Sequence, residues 1–194
     1  EECDDGNTDD GDGCSSTCSC EEQTNDDGND SQTASTFDFT AERTEAIFGC
    51  GDVDVWAVEV TEAGIYAFFT ESSVDPICTI ENLNGDLLTG DDDAGEELNC
   101  KVSMPMEPGS VYYLKIRHYN SQWGTGNYSL GWERLEDDDH GDTAETATVI
   151  ETLPYEQAAR FDWGLDFDYY SLTAPATGQL TVMTESEIDP MCRI

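Results

Sequence analysis

The stretch DVDVWAVEVTEAGIYAFFTESSVDPICTI, residues 52–80, returns without a gap 114 residues later as DFDYYSLTAPATGQLTVMTESEIDPMCRI, residues 166–194. Asp52, Asp54, Gly64, Thr70, Glu71, Ser72, Asp75, Pro76, Cys78 and Ile80 recur as Asp166, Asp168, Gly178, Thr184, Glu185, Ser186, Asp189, Pro190, Cys192 and Ile194. A repeat of this length makes the chain a tandem array, and it fixes the fold before any local propensity is consulted. Upstream, Asp27-Gly-Asn-Asp30 answers Asp139-His-Gly-Asp142 at an offset of 112, so small insertions separate the two blocks. The organisation read from this is a Cys-rich acidic module over 1–24, a first unit over 25–135 and an incomplete second unit over 136–194.

The repeat also gives the strand phase. Trp56, Val58 and Val60 pair with Tyr170, Leu172 and Ala174, and Tyr66 and Phe68 pair with Leu180 and Val182, so the even positions are expected to face inward. Further runs of strand character span 77–83, 98–104, 111–119 and 127–132, with turn signals at Asn84-Gly85, Pro108-Gly109 and Gly124-Thr-Gly126. No segment reads as a helix. The expected fold is all-β: tandem antiparallel β-sandwiches, jelly-roll-like, behind a small disulfide-rich module.

Composition narrows the function. Among 194 residues, 7 Lys+Arg face 44 Asp+Glu, a formal charge of −37. Such a polyanion repels phosphate backbones and anionic membrane surfaces, which excludes nucleic acid and membrane insertion as partners. With 37% hydrophobic and 10% aromatic residues the chain can still build a core. No apolar run approaches the roughly 20 residues that span a bilayer, and the opening Glu-Glu-Cys is read as a mature boundary.

Eight cysteines in an acidic chain point to an oxidising, extracellular compartment. Cys3, Cys14, Cys18 and Cys20 lack the paired C-x-x-C knuckles of a zinc site and are read as disulfides. In the first unit Cys78 is expected to pair with Cys100. Cys192 repeats Cys78, whereas Gly164 stands where Cys50 would recur, so the recurring cysteine does not depend on a Cys50 equivalent. Residues 1–133 hold an odd number of cysteines, and the partners of Cys50 and Cys192 are left open. From this, and from the inward faces of Tyr170, Leu172, Leu180 and Val182, the native polypeptide is expected to continue, or a neighbouring copy to complete the second unit.

Hard cations take six to eight oxygens, and acidic loops supply them. Calcium is therefore expected at Asp27, Asn29, Asp30, Asp52 and Asp54, at Asp139, Asp142, Asp166 and Asp168, and in the Cys-rich module at Asp4, Asp5, Asn7, Asp10 and Asp12. The competing reading makes these residues turn formers. Nucleophilic hydrolysis would need His118 or His140, which the pattern leaves as bystanders, so no enzyme activity is expected. On strand 111–119 the outward phase presents Tyr113, Lys115, Arg117 and Tyr119, either a contact surface or a row paired with acidic neighbours.

Two resemblances sharpen this. Glu2-Cys-Asp-Asp-Gly-Asn7 followed by Gly11-Asp-Gly-Cys14-Ser-Ser-Thr-Cys18 resembles the Cys-rich repeat of secreted myxobacterial proteins. Residues from about 25 onward resemble the bacterial pre-peptidase C-terminal domain. The carriers are the opening at 138–148, Asp52-Val-Asp54-x-Trp56, Asn84-Gly85-Asp86, Gly90-Asp-Asp-Asp93, Gly109-x-x-Tyr-Tyr113 and Gly126-Asn-Tyr-Ser-Leu130. The resemblance implies a non-catalytic β-sandwich appended to secreted peptidases and surface proteins. Its collagen-binding relatives hold calcium between an N-terminal linker and an Asp-x-Asp loop, and place tyrosines on a sandwich face. The implied role is a calcium-stabilised structural or adhesive module of a secreted or cell-surface bacterial protein, a repeat stalk or filament subunit. The alternative is a targeting tail of a secreted hydrolase that binds protein or polysaccharide. The implied partners are further domains of the same polypeptide or neighbouring copies.

Overall fold

A computed structural model describes the chain apart from residues 1–7, 9, 11–14, 20–26, 42, 48–50, 121–125, 165 and 187–188. It is all-β, with β1 (Ser35–Thr36), β2 (Arg43–Ile47), β3 (Asp54–Val58), β4 (Gly64–Ser72), β5 (Pro76–Glu81), β6 (Leu87–Asp91), β7 (Lys101–Met106), β8 (Tyr112–His118), β9 (Gly126–Arg134), β10 (Thr148–Ile150) and β11 (Tyr170–Leu172). By packing the chain divides into two bodies, residues 1–139 with 160–166, and residues 140–159 with 167–194.

The first body is a sandwich of a five-stranded sheet, β1-β3-β8-β5-β6, and a four-stranded sheet, β2-β9-β4-β7. All its strand pairs are antiparallel except β1 with β3. Its core is what the even phase requires: Trp56 and Val58 of β3, Tyr66 and Phe68 of β4, Cys78 and Ile80 of β5, and Leu114 and Ile116 of β8 are buried. Phe37 and Phe39 close one side by edge-on contacts, with Phe37 5.3 Å from Phe68 and Phe39 4.7 Å from Trp132. Expectation and structure differ at Val55, Ile65 and Ala67, which are buried in the odd phase. At Val55 the preceding chain comes alongside in an antiparallel bridge, the Val55 amide donating to the Gly28 carbonyl.

Local chemistry ends the strands where the turn residues stand. Asn82 Oδ1 accepts the amides of Asn84 and Asp86 at 2.9 and 3.0 Å, and Gly85 takes φ +82°, which a side chain would resist. On the four-stranded sheet Gly131 faces Phe69, whose ring fills the place of the missing side chain, since a Cβ there would lie 2.4 Å from it. Pro105 lies on the edge strand β7, where its lack of an N–H costs no ladder bond to a further strand.

The expected Cys78–Cys100 disulfide is present. It joins β5 of one sheet to the residue that enters β7 of the other, so it staples the two layers as well as closing a loop. Cys18 departs from expectation and carries a thiol, as does the exposed Cys192. Cys18 closes a tight turn in left-handed conformation, φ 56°, donating its amide to the Ser15 carbonyl at 2.7 Å. Cys3, Cys14, Cys20 and Cys50 lie outside the described residues.

In the second body β10 and β11 form a parallel pair, with Thr148 opposite Tyr170 and Ile150 opposite Leu172. Residues 178–186, the counterpart of β4, form no described strand, and Leu180 and Val182 are 45% and 54% exposed where Tyr66 and Phe68 are buried.

Replacing both Cys78 and Cys100 by Ala is expected to lower stability by about 2–4 kcal/mol, since the bridge spans 22 residues. Urea unfolding checks this, and an unchanged midpoint would show that the layers do not need the staple.

Candidate functional site

Each repeat begins with a clamp on its first long strand. In the first body the Val55 amide donates to the Gly28 carbonyl at 2.9 Å and the Val53 amide donates to Asn29 Oδ1 at 3.1 Å. In the second, the Tyr169 amide donates to the Gly141 carbonyl at 3.0 Å and the Phe167 amide to Asp142 Oδ1 at 3.2 Å. The turn behind the clamp recurs as well: the Thr33 amide donates to the Asp30 carbonyl and the Thr146 amide to the Thr143 carbonyl, both at 3.2 Å. These pairs fix the upstream offset at 113, correcting the 112 expected from sequence. His140 therefore stands in the place of Asp27, not of Gly28, and Gly141 answers Gly28. Both glycines are required, because a Cβ would fall 2.0 Å from the Thr33 carbonyl oxygen at Gly28 and 2.4 Å from that of Thr146 at Gly141.

The corrected register exposes an exchange. In the first body Asp27, 5% exposed, lies 4.0 Å from Arg43, which also faces Glu45 at 3.8 Å and donates to the Thr36 carbonyl at 3.1 Å. In the second, His140, 3% exposed, lies 3.5 Å from Gln157, which meets it as Arg43 meets Asp27. Its Nδ1 is 2.7 Å from Thr148 Oγ1, and its ring packs 4.6 Å from Tyr170. A carboxylate–guanidinium pair in one copy is an imidazole–amide pair in the other.

Asp54 opens β3 wholly buried, and Tyr128 of β9 donates its hydroxyl to Asp54 Oδ2 at 2.7 Å. Burial, and then the negative charge of Asp54 with a smaller contribution from Glu45 and Asp27, push the Tyr128 phenol well above the usual tyrosine range. The structure thus brings Asp27, Asn29 and Asp54 together at the strand entry, and gives Asn29 and Asp54 hydrogen-bonding work there. Asp30 turns aside and caps its own turn through the amides of Gln32 and Thr33, at 2.8 and 2.9 Å. The Thr33 hydroxyl, which donates to Asp30 Oδ1 at 2.9 Å, and after it those amides hold the carboxyl below the usual range.

A second acidic grouping was only partly legible in the sequence. Asp138, Asp139 and Asp162, all half-buried, offer carboxylate oxygens within 4.8 Å of one another. Asp139 was expected here, but Asp138 and Asp162 were not. Asp162 lies outside the repeated block, so self-comparison gave no signal for it. Arg160 reaches into the group, with Nη1 3.0 Å from Glu136, Nη2 2.7 Å from the Asp137 carbonyl and Nε on Asp162. Asp166 accepts the Asp162 amide, which fixes the turn that carries Asp162. Of the acids expected in the Cys-rich module, Asp10 accepts the Ser16 amide at 2.7 Å, and Asp4, Asp5, Asn7 and Asp12 lie outside the described residues.

The outward row on β8 is largely engaged. Lys115 Nζ lies 2.6 Å from Glu81 on the neighbouring strand, and Arg117 donates to the His118 carbonyl at 3.2 Å. Tyr113 is half-buried, and Tyr119 remains 60% exposed.

No protein-family profile and no curated protein matches the chain. Solved structures do match part of it. One is the pre-peptidase C-terminal domain of collagenase from Bacillus anthracis, 14% identical, covering 51% of this chain and 93% of that one, with a TM-score of 0.43. Another is Aeromonas hydrophila PliG, a periplasmic inhibitor of g-type lysozyme, 9% identical, covering 52% of this chain and 95% of that one, with a TM-score of 0.40.

Two outcomes are expected from the clamp. Gly28→Ala should destabilise the first body by more than about 2 kcal/mol, because the obstructing atom is backbone. Tyr128→Phe should cost about 1–3 kcal/mol near neutral pH by stripping the buried Asp54 of a donor. Since the folded phenol ionises above its unfolded counterpart, its contribution is whole below about pH 10 and declines as the pH rises further. Denaturant titrations from pH 8 to 11.5 should show a shallower alkaline decline in the variant, and parallel profiles would refute the assignment.

Proposed function

We propose that this chain is a non-catalytic, calcium-stabilised structural or adhesive module of a secreted or cell-surface bacterial protein, akin to pre-peptidase C-terminal domains. The observation that carries the reading is the duplicated clamp, in which an acidic entry segment is bound to the first long strand of each unit. Such a device sets where each sandwich begins relative to the chain before it, which suits a tandem stalk or filament subunit. Both histidines do structural work, His118 Nδ1 accepting the Asn120 amide at 2.9 Å and His140 meeting Thr148 and Gln157. That occupation supports the non-catalytic reading.

Calcium enters through the donor chemistry of Asp138, Asp139 and Asp162. Three hard carboxylates within one ion's reach fit calcium, with backbone carbonyls and water completing its shell. One guanidinium, from Arg160, leaves the group short of neutral. The ion would offset the remaining repulsion among the acids of the linker and bind residues 136–139 to the turn at 160–166. The alternative role, a targeting tail that contacts protein or polysaccharide, draws on the exposed Tyr119 beside the β8 row.

Thermal unfolding in millimolar calcium against EDTA, at matched ionic strength, tests the reading. The midpoint should rise with calcium, since a ligand at 100 times its dissociation constant contributes about 2.7 kcal/mol. Asp162→Asn should shrink that rise. Equal midpoints in both buffers would remove calcium from the proposal.

A further inference from the structure

Asp75-Pro76 is a dipeptide that both copies keep, returning as Asp189-Pro190. An aspartyl-prolyl bond differs chemically from other peptide bonds. Its nitrogen carries no hydrogen and, as a tertiary amide, is protonated more readily than a secondary one, while the aspartate side chain can close a small ring on its own carbonyl carbon. In the first body this bond lies on the crossing between layers, joining β4 of the four-stranded sheet to β5 of the five-stranded one.

The fold brings polar groups to both sides of that bond. The Asp75 carbonyl accepts the Tyr119 amide at 2.7 Å, so a donor already faces the oxygen on which negative charge develops when the carbonyl carbon is attacked. Asp75 Oδ1 is shut off from solvent and takes up no hydrogen bond, which leaves its lone pairs available to that carbon. Backbone groups alternate sides along a strand, so with the Asp75 carbonyl turned to β8 the Pro76 nitrogen is turned to the β6 side. There β6 ends at Asp91, paired with Cys78, and extending the same antiparallel register by two residues sets Asp93 opposite Pro76. Asp93 is exposed, so water reaches it. Partial loss of hydration, and then the charges of Asp92, Asp75 and Asp91, raise its carboxyl above the usual aspartate range. Asp91 is engaged elsewhere, its Oδ2 accepting the amides of Ala94 and Lys101 at 2.7 and 3.1 Å. From β8 the facing groups are His118, opposite Pro76, and Arg117, which is turned to the His118 carbonyl. Burial holds His118 below the usual histidine range against the charge of Asp75, and its Nδ1 accepts the Asn120 amide.

We propose that the Asp75-Pro76 bond is a self-cleavage site, with Asp75 as nucleophile, the Tyr119 amide as oxyanion donor and Asp93 as proton donor. Asp75 Oδ1 bonds to the Asp75 carbonyl carbon, the carbon–nitrogen bond to Pro76 breaks, and the nitrogen leaves as a secondary amine carrying the Asp93 proton. One water then opens the cyclic anhydride left on Asp75, giving an aspartate C-terminus and returning a proton to Asp93. Nothing is oxidised or reduced. The two pieces stay interlocked, since β3 is paired with β8 and β4 lies between β9 and β7. Cleavage therefore frees a crossing between the layers without taking the sandwich apart. It occurs once per chain, so it goes beyond the structural role proposed above without making the chain an enzyme.

The test holds the full chain, with protease inhibitors, between about pH 4 and 7 and follows cleavage by intact mass and N-terminal sequencing after denaturation. The expected products are residues 1–75 and 76–194, their masses summing to that of the chain plus one water and the second opening on Pro76. Asp189-Pro190, which lies in no described strand, is an internal reference. It should be cut at least about tenfold more slowly, as should a synthetic peptide of residues 70–81. Asp75→Asn should bring cleavage before Pro76 below detection. Asp93→Asn should slow it at least about tenfold and remove the decline in rate that follows loss of the Asp93 proton as the pH rises. Asp92→Asn keeps both reacting groups and withdraws one of the charges that raise Asp93, so it should move that decline to lower pH. An intact chain, or equal rates at Asp75-Pro76, Asp189-Pro190 and the peptide, would overturn the proposal, the second by leaving ordinary acid lability as the whole effect. Cleavage that persists in Asp75→Asn, or a decline that Asp92→Asn leaves in place, would overturn it as well. Calcium is held constant throughout, so failure here is distinct from failure of the metal reading.

Discussion

A carboxylate with no contact to solvent, that of Asp54, governs how this sandwich is put together. An ionised group in an apolar interior costs several kcal/mol unless strong donors meet it. Here the Tyr128 hydroxyl meets it from the opposite sheet. That bond requires β9 to pass directly over the entry of β3, and Tyr128 then packs on Trp56, ring centroids 6.2 Å apart. Asp54 also stands beside the clamp, where the Val53 and Val55 amides on either side of it are taken by Asn29 and Gly28. The entry segment, the first strand and the facing sheet are thus tied at one point, and Cys78–Cys100 ties the same two layers at another.

The net charge makes the placement of the few cations informative. Lys101 on β7 reaches across the intervening β4 to lie 2.8 Å from Glu133 on β9, passing 5.8 Å over the Phe69 ring of β4, Lys115 meets Glu81, and Arg160 gathers Glu136 and Asp162. Each such surface pair contributes at most about 1 kcal/mol. Their arrangement matters more than their sum, because each places a positive group where a sheet or linker concentrates acids. The β8 row, which the sequence left open between a contact surface and a paired row, is for Lys115 the paired row. Arg43 differs, since it is half-buried, packs 5.8 Å from the Phe37 ring and counters a buried aspartate.

Much of the first sandwich was legible in the sequence because the repeat reports burial directly. A position kept apolar in two copies faces inward in the first, as at Trp56, Val58, Tyr66 and Phe68, and the one cysteine kept in both copies marked the bridge to Cys100. Less was legible where structure rests on backbone. β1 is two residues long, β2 reads Arg-Thr-Glu-Ala-Ile, and β6 ends in Gly-Asp, so none carries an apolar alternation to find. The clamp was found in outline and misplaced by one residue, because Asp-Gly-Asn-Asp and Asp-His-Gly-Asp match by residue type at 112. Geometry aligns the carbonyl of Gly28 with that of Gly141, and a carbonyl has no residue type. Asp162 lay beyond reach for a related reason, since only folding brings it to Asp138 and Asp139.

The exchange of Asp27 and Arg43 for His140 and Gln157 shows what the clamp requires and what it leaves free. In both copies a buried polar side chain precedes the glycine, and in both a long polar side chain from a later segment meets it. The carboxylate and the guanidinium are dispensable, whereas the glycine and the amide-accepting Asn or Asp after it are not exchanged for other chemistry. Burying an ion pair gains little over a neutral pair of similar size, because the Coulombic attraction is spent on desolvation. His140 Nδ1 lies 2.7 Å from Thr148 Oγ1, so β10 is held through a side chain at the position where its ladder with β11 begins. The second copy thus keeps the first strand pair of a sandwich in order by local bonds.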